Sequence, residues 1–208
     1  MSTNFKLESM QALLTPDIRE FRMEVTNVDK VPMLLVTKVE DQIGETRYAS
    51  QIMVFPPVIR IDAGATQFIR LRLKQDAPAL PQDVLLRLNL TGVGQMSQGN
   101  YLGVGLSQVI PLVVRSASYA TGSSVWSDLR WQQHTNQLVV TNTGDRLVRL
   151  QPAVTLMPAA EKLTLSRAYL RPHETLTLPI SSSNISDVKI SPFDSKGLLS
   201  KPVSITPR

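Results

Sequence analysis

The side chains best suited to chemistry are few. The chain has two histidines, His134 and His173, and no cysteine. Both histidines sit among polar residues in turn-like stretches, QQHTNQ and RPHET, and read as surface turn residues. A Ser-His-Asp triad needs its parts to meet only in space, so spacing alone leaves it open. No GxSxG elbow presents a serine, however, and no carboxylates accompany the histidines at metal-ligand spacing. The absence of cysteine removes disulfides, thiolate metal sites and a thiol nucleophile. The segment GVGQMSQGNYLGVG, residues 92–105, is rich in glycine but lacks the GK[ST] of a phosphate loop. It also lies between two strand-like runs, not before a helix whose N-terminus would hold a phosphate, and reads as a long hairpin loop. Asn89-Leu90-Thr91 matches a glycosylation acceptor but falls inside an alternating run. These residues therefore predict no enzyme, no metal and no cofactor.

The framework around them is a β protein. The chain has 208 residues, of which 42% are hydrophobic and 19% charged, a composition that builds packed cores. The net charge is +5, but no four basic residues stand together and aromatics make up 5%; this is not the concentrated basic and aromatic surface of a nucleic-acid binder. No apolar run approaches the ~20 residues of a membrane span. The start, MSTNFKLES, has no apolar signal core. The chain is thus either cytoplasmic or stripped of its signal.

Short alternating runs dominate: FRMEVTN (21–27), PMLLVTKVE (32–40), TQFIRLRLK (66–74), DVLLRLNLTGV (83–93), QLVVTN (137–142), RLVRLQPAV (146–154), TLTLPI (175–180) and DVKISPF (187–193). They are rich in Val, Ile, Leu and Thr and bounded by Asn, Asp, Gly and Pro, as strands are. One short helix is predicted near Ala159 to Leu163. Many strands at near-regular spacing predict β-sandwiches. The small, polar SASYATGSS stretch makes a linker at 117–124, giving domains of 1–116 and 125–208. A faint internal echo accompanies this division. Val25-Thr26-Asn27 and Val140-Thr141-Asn142 each end a strand, and IDAGATQFIRL (61–71) is loosely matched by LRPHETLTL (170–178). Trp126 and Trp131 open the second half and read as packing residues of its core or of the domain junction.

One run is unusual. YLGVGLSQVIPLVVRS, residues 101–116, alternates Leu102, Val104 and Leu106 and continues through Ile110, Leu112 and Val114. A period of two puts all of these on one face. Gly103 and Gly105 take the other parity, where they would permit close packing against the neighbouring layer.

The ordered set of FPPVIRIDAGATQFIRLRL (55–73), the upstream Val25-Thr26-Asn27 with Pro32, the downstream LPQDVLLRLNL (80–90) and this last long strand resembles the periplasmic pilus chaperones of the chaperone–usher pathway, the PapD-like family. Pro56-Pro57 must lie at an edge or between strands, because neither residue donates a backbone hydrogen bond, and Gly64 marks a turn. The resemblance spans nearly the whole chain and is weaker in the second half, where Trp126 and the DSKG turn (194–197) carry it.

It implies two immunoglobulin-like sandwiches set as an L, no enzymatic activity and a periplasmic location, the signal having been removed. It implies pilus or fimbrial subunits and an outer-membrane usher as partners. A subunit's incomplete sandwich would receive a lent strand, the mode known as donor-strand complementation, with Leu102, Val104 and Leu106 as the donor residues. It also implies two basic anchors for the subunit's terminal carboxylate. Their equivalents here are Gln11 and Pro111, both uncharged. Gln11 retains a neutral hydrogen-bond donor, and Lys6, Arg19 or Lys38 are candidates to replace the charge. Of an implied interdomain charge cluster, Arg115 and Asp194 match two members, while the third position falls on Leu85. Without a carboxylate clamp, the alternative is a scaffolding protein of the same fold that covers its exposed strand by self-association along 101–110.

Overall fold

A computed structural model of the chain describes residues 4–94, 105–117, 124–194 and 197–208. They are almost all strand and turn, and divide into two compact units, one of Met1–Ala79 with Val84–Val114 and one of Leu80–Asp83 with Arg115–Arg208. The linker expected at 117–124 lies mostly outside the described residues.

The first unit holds β1 (Phe5–Leu7), β2 (Ala12–Leu14), β3 (Glu20–Asn27), β4 (Met33–Asp41), β5 (Ile52–Phe55), β6 (Val58–Ile61), β7 (Thr66–Leu73), β8 (Val84–Gly94) and β9 (Leu106–Val114). Four of them form one sheet in the order β1-β3-β7-β5, and five form the other in the order β2-β9-β8-β4-β6. The alternation seen in the sequence sorts each strand between core and solvent. Met23, Val25, Ile69 and Leu71 from one sheet and Leu35, Leu86, Leu88, Leu90 and Leu112 from the other are buried. Pro56-Pro57 lies between β5 and β6, which are the edge strands of different sheets. The chain therefore changes sheets where two residues in succession have no N–H to contribute to a ladder.

The second unit holds β10 (Leu129–His134), β11 (Gln137–Asn142), β12 (Val148–Arg149), β13 (Ala153–Met157), β14 (Glu161–Thr164), β15 (Tyr169–Leu170), β16 (Thr175–Pro179), β17 (Asp187–Ile190) and β18 (Val203–Ile205). Its sheets run β10-β11-β16 and β14-β13-β17-β18, with β12 and β15 as a separate pair. Trp131 is buried in its core and Trp126 packs against that core, so the second unit accounts for both tryptophans. The long run 146–154 divides into β12 and β13 around Gln151-Pro152.

The helix predicted near Ala159 to Leu163 is instead a β-hairpin. β13 pairs with β14, Leu156 opposite Glu161, and Ala160 turns the chain at φ 57. A single left-handed residue ends any right-handed helix, and cross-strand packing overrides the helix preference of Glu, Lys and Leu. Glu161 then fastens the hairpin to the chain after β16: its two carboxylate oxygens accept the N–H groups of Ser181 and Ser182, each at 2.9 Å. Hydrogen bonding from Ser182 and Ser181 holds its carboxyl below the ordinary 4.5. A carboxyl depressed by folding stabilises the fold above its unfolded value, and the contribution disappears as pH falls through the folded value. Glu161→Gln is therefore expected to lower the melting temperature at pH 7. The difference from the parent should shrink steadily in scans from pH 5 to pH 3. A pH-independent difference would contradict this role.

The internal echo corresponds to one structural device used twice. Asn27 and Asn142 end β3 and β11 and are fully buried. Asn27 Nδ2 donates to the carbonyls of Val31 (2.8 Å) and Ile61 (3.1 Å), and its Oδ1 accepts the Asp29 N–H (3.0 Å). Asn142 Nδ2 donates to the carbonyls of Arg146 (2.7 Å) and Arg171 (2.9 Å), and its Oδ1 accepts the Gly144 N–H (3.2 Å). The asparagine N–H groups bond Ala65 O and Glu174 O, each at 2.9 Å. The residues before those acceptors, Gly64 (φ 70) and His173 (φ 58), are both left-handed. Glycine adopts that conformation without strain and histidine is among the side chains that tolerate it.

Candidate functional site

The long last strand of the first unit is where a sheet edge is left incomplete. β9 runs antiparallel to β8 along its whole length, from Gly92 opposite Leu106 to Val84 opposite Val114. On its other side β2 pairs, in parallel, with Leu112–Val114 alone. Among the described residues, no strand lies against that side of Leu106–Pro111. Alternate residues of a strand in such a ladder send their N–H and C=O away from the partner, so this segment presents a row of backbone groups ready for another strand.

The side chains of β9 are sorted by the same period. Ile110, Leu112 and Val114 are buried, Leu106 and Gln108 half-buried, and Ser107 and Val109 exposed. Leu106 thus shares its face with the core residues and is less covered than they are. Leu102, Val104 and Gly103 lie outside the described residues. Gly105 is described: a Cβ there would stand 2.9 Å from the Gly92 carbonyl oxygen, so only glycine lets β9 approach β8 this closely. Gln108 Nε2 donates to the Phe5 carbonyl at 2.9 Å, which ties the incomplete edge to β1, an edge strand of the facing sheet.

The two anchor-equivalent positions come together at the end of this edge. The β2–β9 register starts at Ala12 opposite Leu112, and one step back along both strands places Gln11 beside Pro111. Gln11 is buried, and its carbonyl accepts the Ser9 hydroxyl at 2.9 Å. Pro111 is half-buried. Of the cations weighed as substitutes, Lys6 stands on β1 in the other sheet, opposite Thr26. Arg19 donates to the Lys74 carbonyl at 2.6 Å. Lys38 pairs with Asn89 on β4, two strands in from the edge. The residue directly across from Pro111 is Arg87 on β8, which sequence reading passed over because it depends on cross-strand register.

Arg115 follows β9 and is engaged within the second unit. Its guanidinium pairs with Asp83 and donates to the Leu147 carbonyl at 3.0 Å. Asp83 accepts three groups at once, the guanidinium and the N–H groups of Ser116 and Leu147, both at 2.8 Å. Its side chain is fully buried and that of Arg115 is 9% exposed. The acid sought at Leu85 thus stands two residues earlier, and Leu85 itself is a core side chain. Asp194 shapes its own turn: its Oδ1 accepts the Leu198 N–H at 2.8 Å and its carbonyl accepts the Gly197 N–H at 3.1 Å.

The histidines stay apart from this edge. His173 Nε2 lies 2.7 Å from Asp145 Oδ1 at the surface, and His134 ends β10, exposed. Among the described residues, no cluster of His, Cys, Asp or Glu could hold a metal ion, and no helix is long and apolar enough to cross a membrane.

The chain is similar to known proteins. Residues 4–119 match the family model described as pili and flagellar-assembly chaperone, PapD N-terminal domain. An uncharacterized fimbrial chaperone of Escherichia coli K12, YhcA, is 23% identical over 198 residues, covering 95% of this chain and 88% of its own. Among solved structures, the Salmonella enterica SafB chaperone with the SafA pilin superposes with a TM-score of 0.76 at 20% identity, covering 98% of this chain and 96% of that one. The E. coli chaperone DraB gives 0.77 at 20% identity over 99% and 100%. At those identities the superpositions establish the fold, two β-sandwich domains. The match to the family model covers more than half of the chain, and with it the chain belongs to the PapD-like family of pilus-assembly chaperones, which are not enzymes.

Proposed function

We propose that this chain is a periplasmic chaperone that holds pilus subunits by lending them its last first-domain strand and delivers them to an outer-membrane usher, without nucleotide or cofactor. The observation that carries this reading is the edge of β9 from Leu106 to Pro111, backed by β8 and paired on its other side only beyond Pro111. A subunit strand laid there would complete the backbone ladder. Leu106, with Leu102 and Val104 of the same parity, would fill the subunit's open core. Each such side chain, once buried, contributes roughly 1.5–3 kcal/mol of transfer free energy. SafB, solved holding the SafA pilin, shares the fold. Arg115 and Asp194 we read as the interdomain pair that the resemblance implies, with Arg115 also holding Asp83.

The test is periplasmic co-expression with a pilus subunit. Leu106 is half-buried in the free chain, so Leu106→Glu is expected to fold. It should reduce the recovered one-to-one complex by about ten- to a hundredfold, the equivalent of the lost burial. Complex formation at the parental level would refute strand lending at this position. The same edge would also accept a second copy of this chain. A free protein that weighs as a dimer, and becomes a monomer with Leu106→Glu, would favour that reading instead.

A further inference from the structure

One side chain joins two sheet edges at the mouth of the first sandwich. Along β1, the Val28 N–H donates to the Asn4 carbonyl and the Glu8 N–H to the Glu24 carbonyl, both at 3.1 Å. Alternate residues of an antiparallel pair turn their backbone groups away from the partner, so the Phe5 carbonyl faces outward from β3. Gln108 Nε2 reaches it from β9 at 2.9 Å. That acceptor is held in place by packing. Phe5 is buried, and its ring lies so close over Gly92 that a Cβ there would stand 3.1 Å from Phe5 Cδ1. Gln108 itself is half-buried and shares its parity with Leu106, Ile110, Leu112 and Val114. It is the one polar side chain in the inward series of β9.

We propose that Gln108 sets the register in which β9 is lent, an inference that rests on the strand-lending function above. The faces of a strand repeat every two residues. An unbroken apolar series can therefore slide by two along a partner's groove and present the same face again, so that the pattern alone specifies register weakly. With an apolar residue at 108, the inward series would run unbroken from Leu106 to Val114. Gln108 interrupts it. A slip of two that carries residue 108 into the slot of Leu106 pulls the amide off the Phe5 carbonyl. It then buries that amide in the partner's apolar core without a hydrogen bond, which is costly. In the correct register the amide stays in the mouth, on its fixed acceptor. A single polar residue in an apolar seam acts in the same way in coiled coils, where one asparagine specifies register. Gln108 is thus a positioning residue: it decides where the added strand sits along β9.

The experiment reads register by disulfide mapping. Val109, exposed on the outer face of β9, is changed to cysteine in a chain that has none. This chain is co-expressed in the periplasm with a pilus subunit carrying one added cysteine, moved in turn along the strand that borders β9. Only side chains nearly opposite each other come within bonding reach. With Gln108 present, one position is expected to cross-link about ten times more than the position two residues away, the scale set by burying an unpaired amide. With Gln108→Leu the two yields should come within about twofold of each other. Gln108→Glu gives up the bond to Phe5 but is harder still to bury, and should keep a single position. One unmoved position with Gln108→Leu, even in a less stable chain, or a spread with Gln108→Glu, would overturn the role of Gln108 alone. Absence of any complex with the parent chain would overturn strand lending and this inference together.

Discussion

Asp83→Ala is expected to destabilise the second unit by about 3–5 kcal/mol, the cost of removing one partner from a buried ion pair. The acid is fully buried and accepts three donors. Its loss strands a guanidinium that is nine-tenths covered and two backbone N–H groups that no water reaches. The readout is unusually clean. Both tryptophans of the chain, Trp126 and Trp131, belong to this unit, so their fluorescence during urea unfolding reports on it directly. The free-energy difference comes from the shift in midpoint at constant slope. Arg115→Leu should also destabilise, leaving a buried carboxylate short of its strongest partner. The two changes together should cost much less than their sum, because the double variant removes both charges. A shift under about 1 kcal/mol for Asp83→Ala, or simple additivity, would mean that the acid is not the centre of this network.

Asn142→Ala should cost about 3 kcal/mol, and Asn27→Ala a similar amount in the first unit. Each leaves two carbonyls without their side-chain donor and one N–H without its acceptor, most of them partly buried, at roughly 1–3 kcal/mol for a group left wholly unsatisfied. The carbonyls come from two separate segments in each case, Val31 with Ile61 and Arg146 with Arg171. The asparagine therefore joins the turn after its own strand to the turn before the next, and its loss loosens both. Asn142→Asp provides the decisive comparison. It keeps the size and the acceptor but cannot donate to either carbonyl when ionised, and should be at least as damaging as alanine at neutral pH. Tryptophan fluorescence follows the Asn142 variants, and circular dichroism melting follows Asn27→Ala. An aspartate that matched the parent would show that the amide donors are dispensable.

The strands β3, β4, β7, β8, β9, β11, β13, β16 and β17 were legible in the order of residues, because a strand's two faces alternate with the chain and turns need particular local chemistry; β1, β2, β10, β14, β15 and β18 were not picked out. The match of Asn27 to Asn142, and of the segment at Ile61 to that at Leu170, was visible for the same reason: each is a local arrangement of strand end and turn. Pro56-Pro57 was placed between strands by the lack of two N–H groups. The helix expected around Ala159–Leu163 failed because Ala160 is left-handed and β13 pairs with β14, and neither follows from helix propensity.

The candidate site divides along the same line. The parity that put Leu106 on the inward face of its strand is intrinsic to the sequence, and so is the family pattern that surrounds it. That one side of Leu106–Pro111 stays open was decided by where β2 stops pairing. That Asp83 rather than position 85 meets Arg115, and that Arg87 stands across from Pro111, depends on which strand lies beside which and in what register. Those are contacts between residues tens of positions apart, paid for in chain entropy and settled by the packing of the whole sandwich, and no local pattern encodes them.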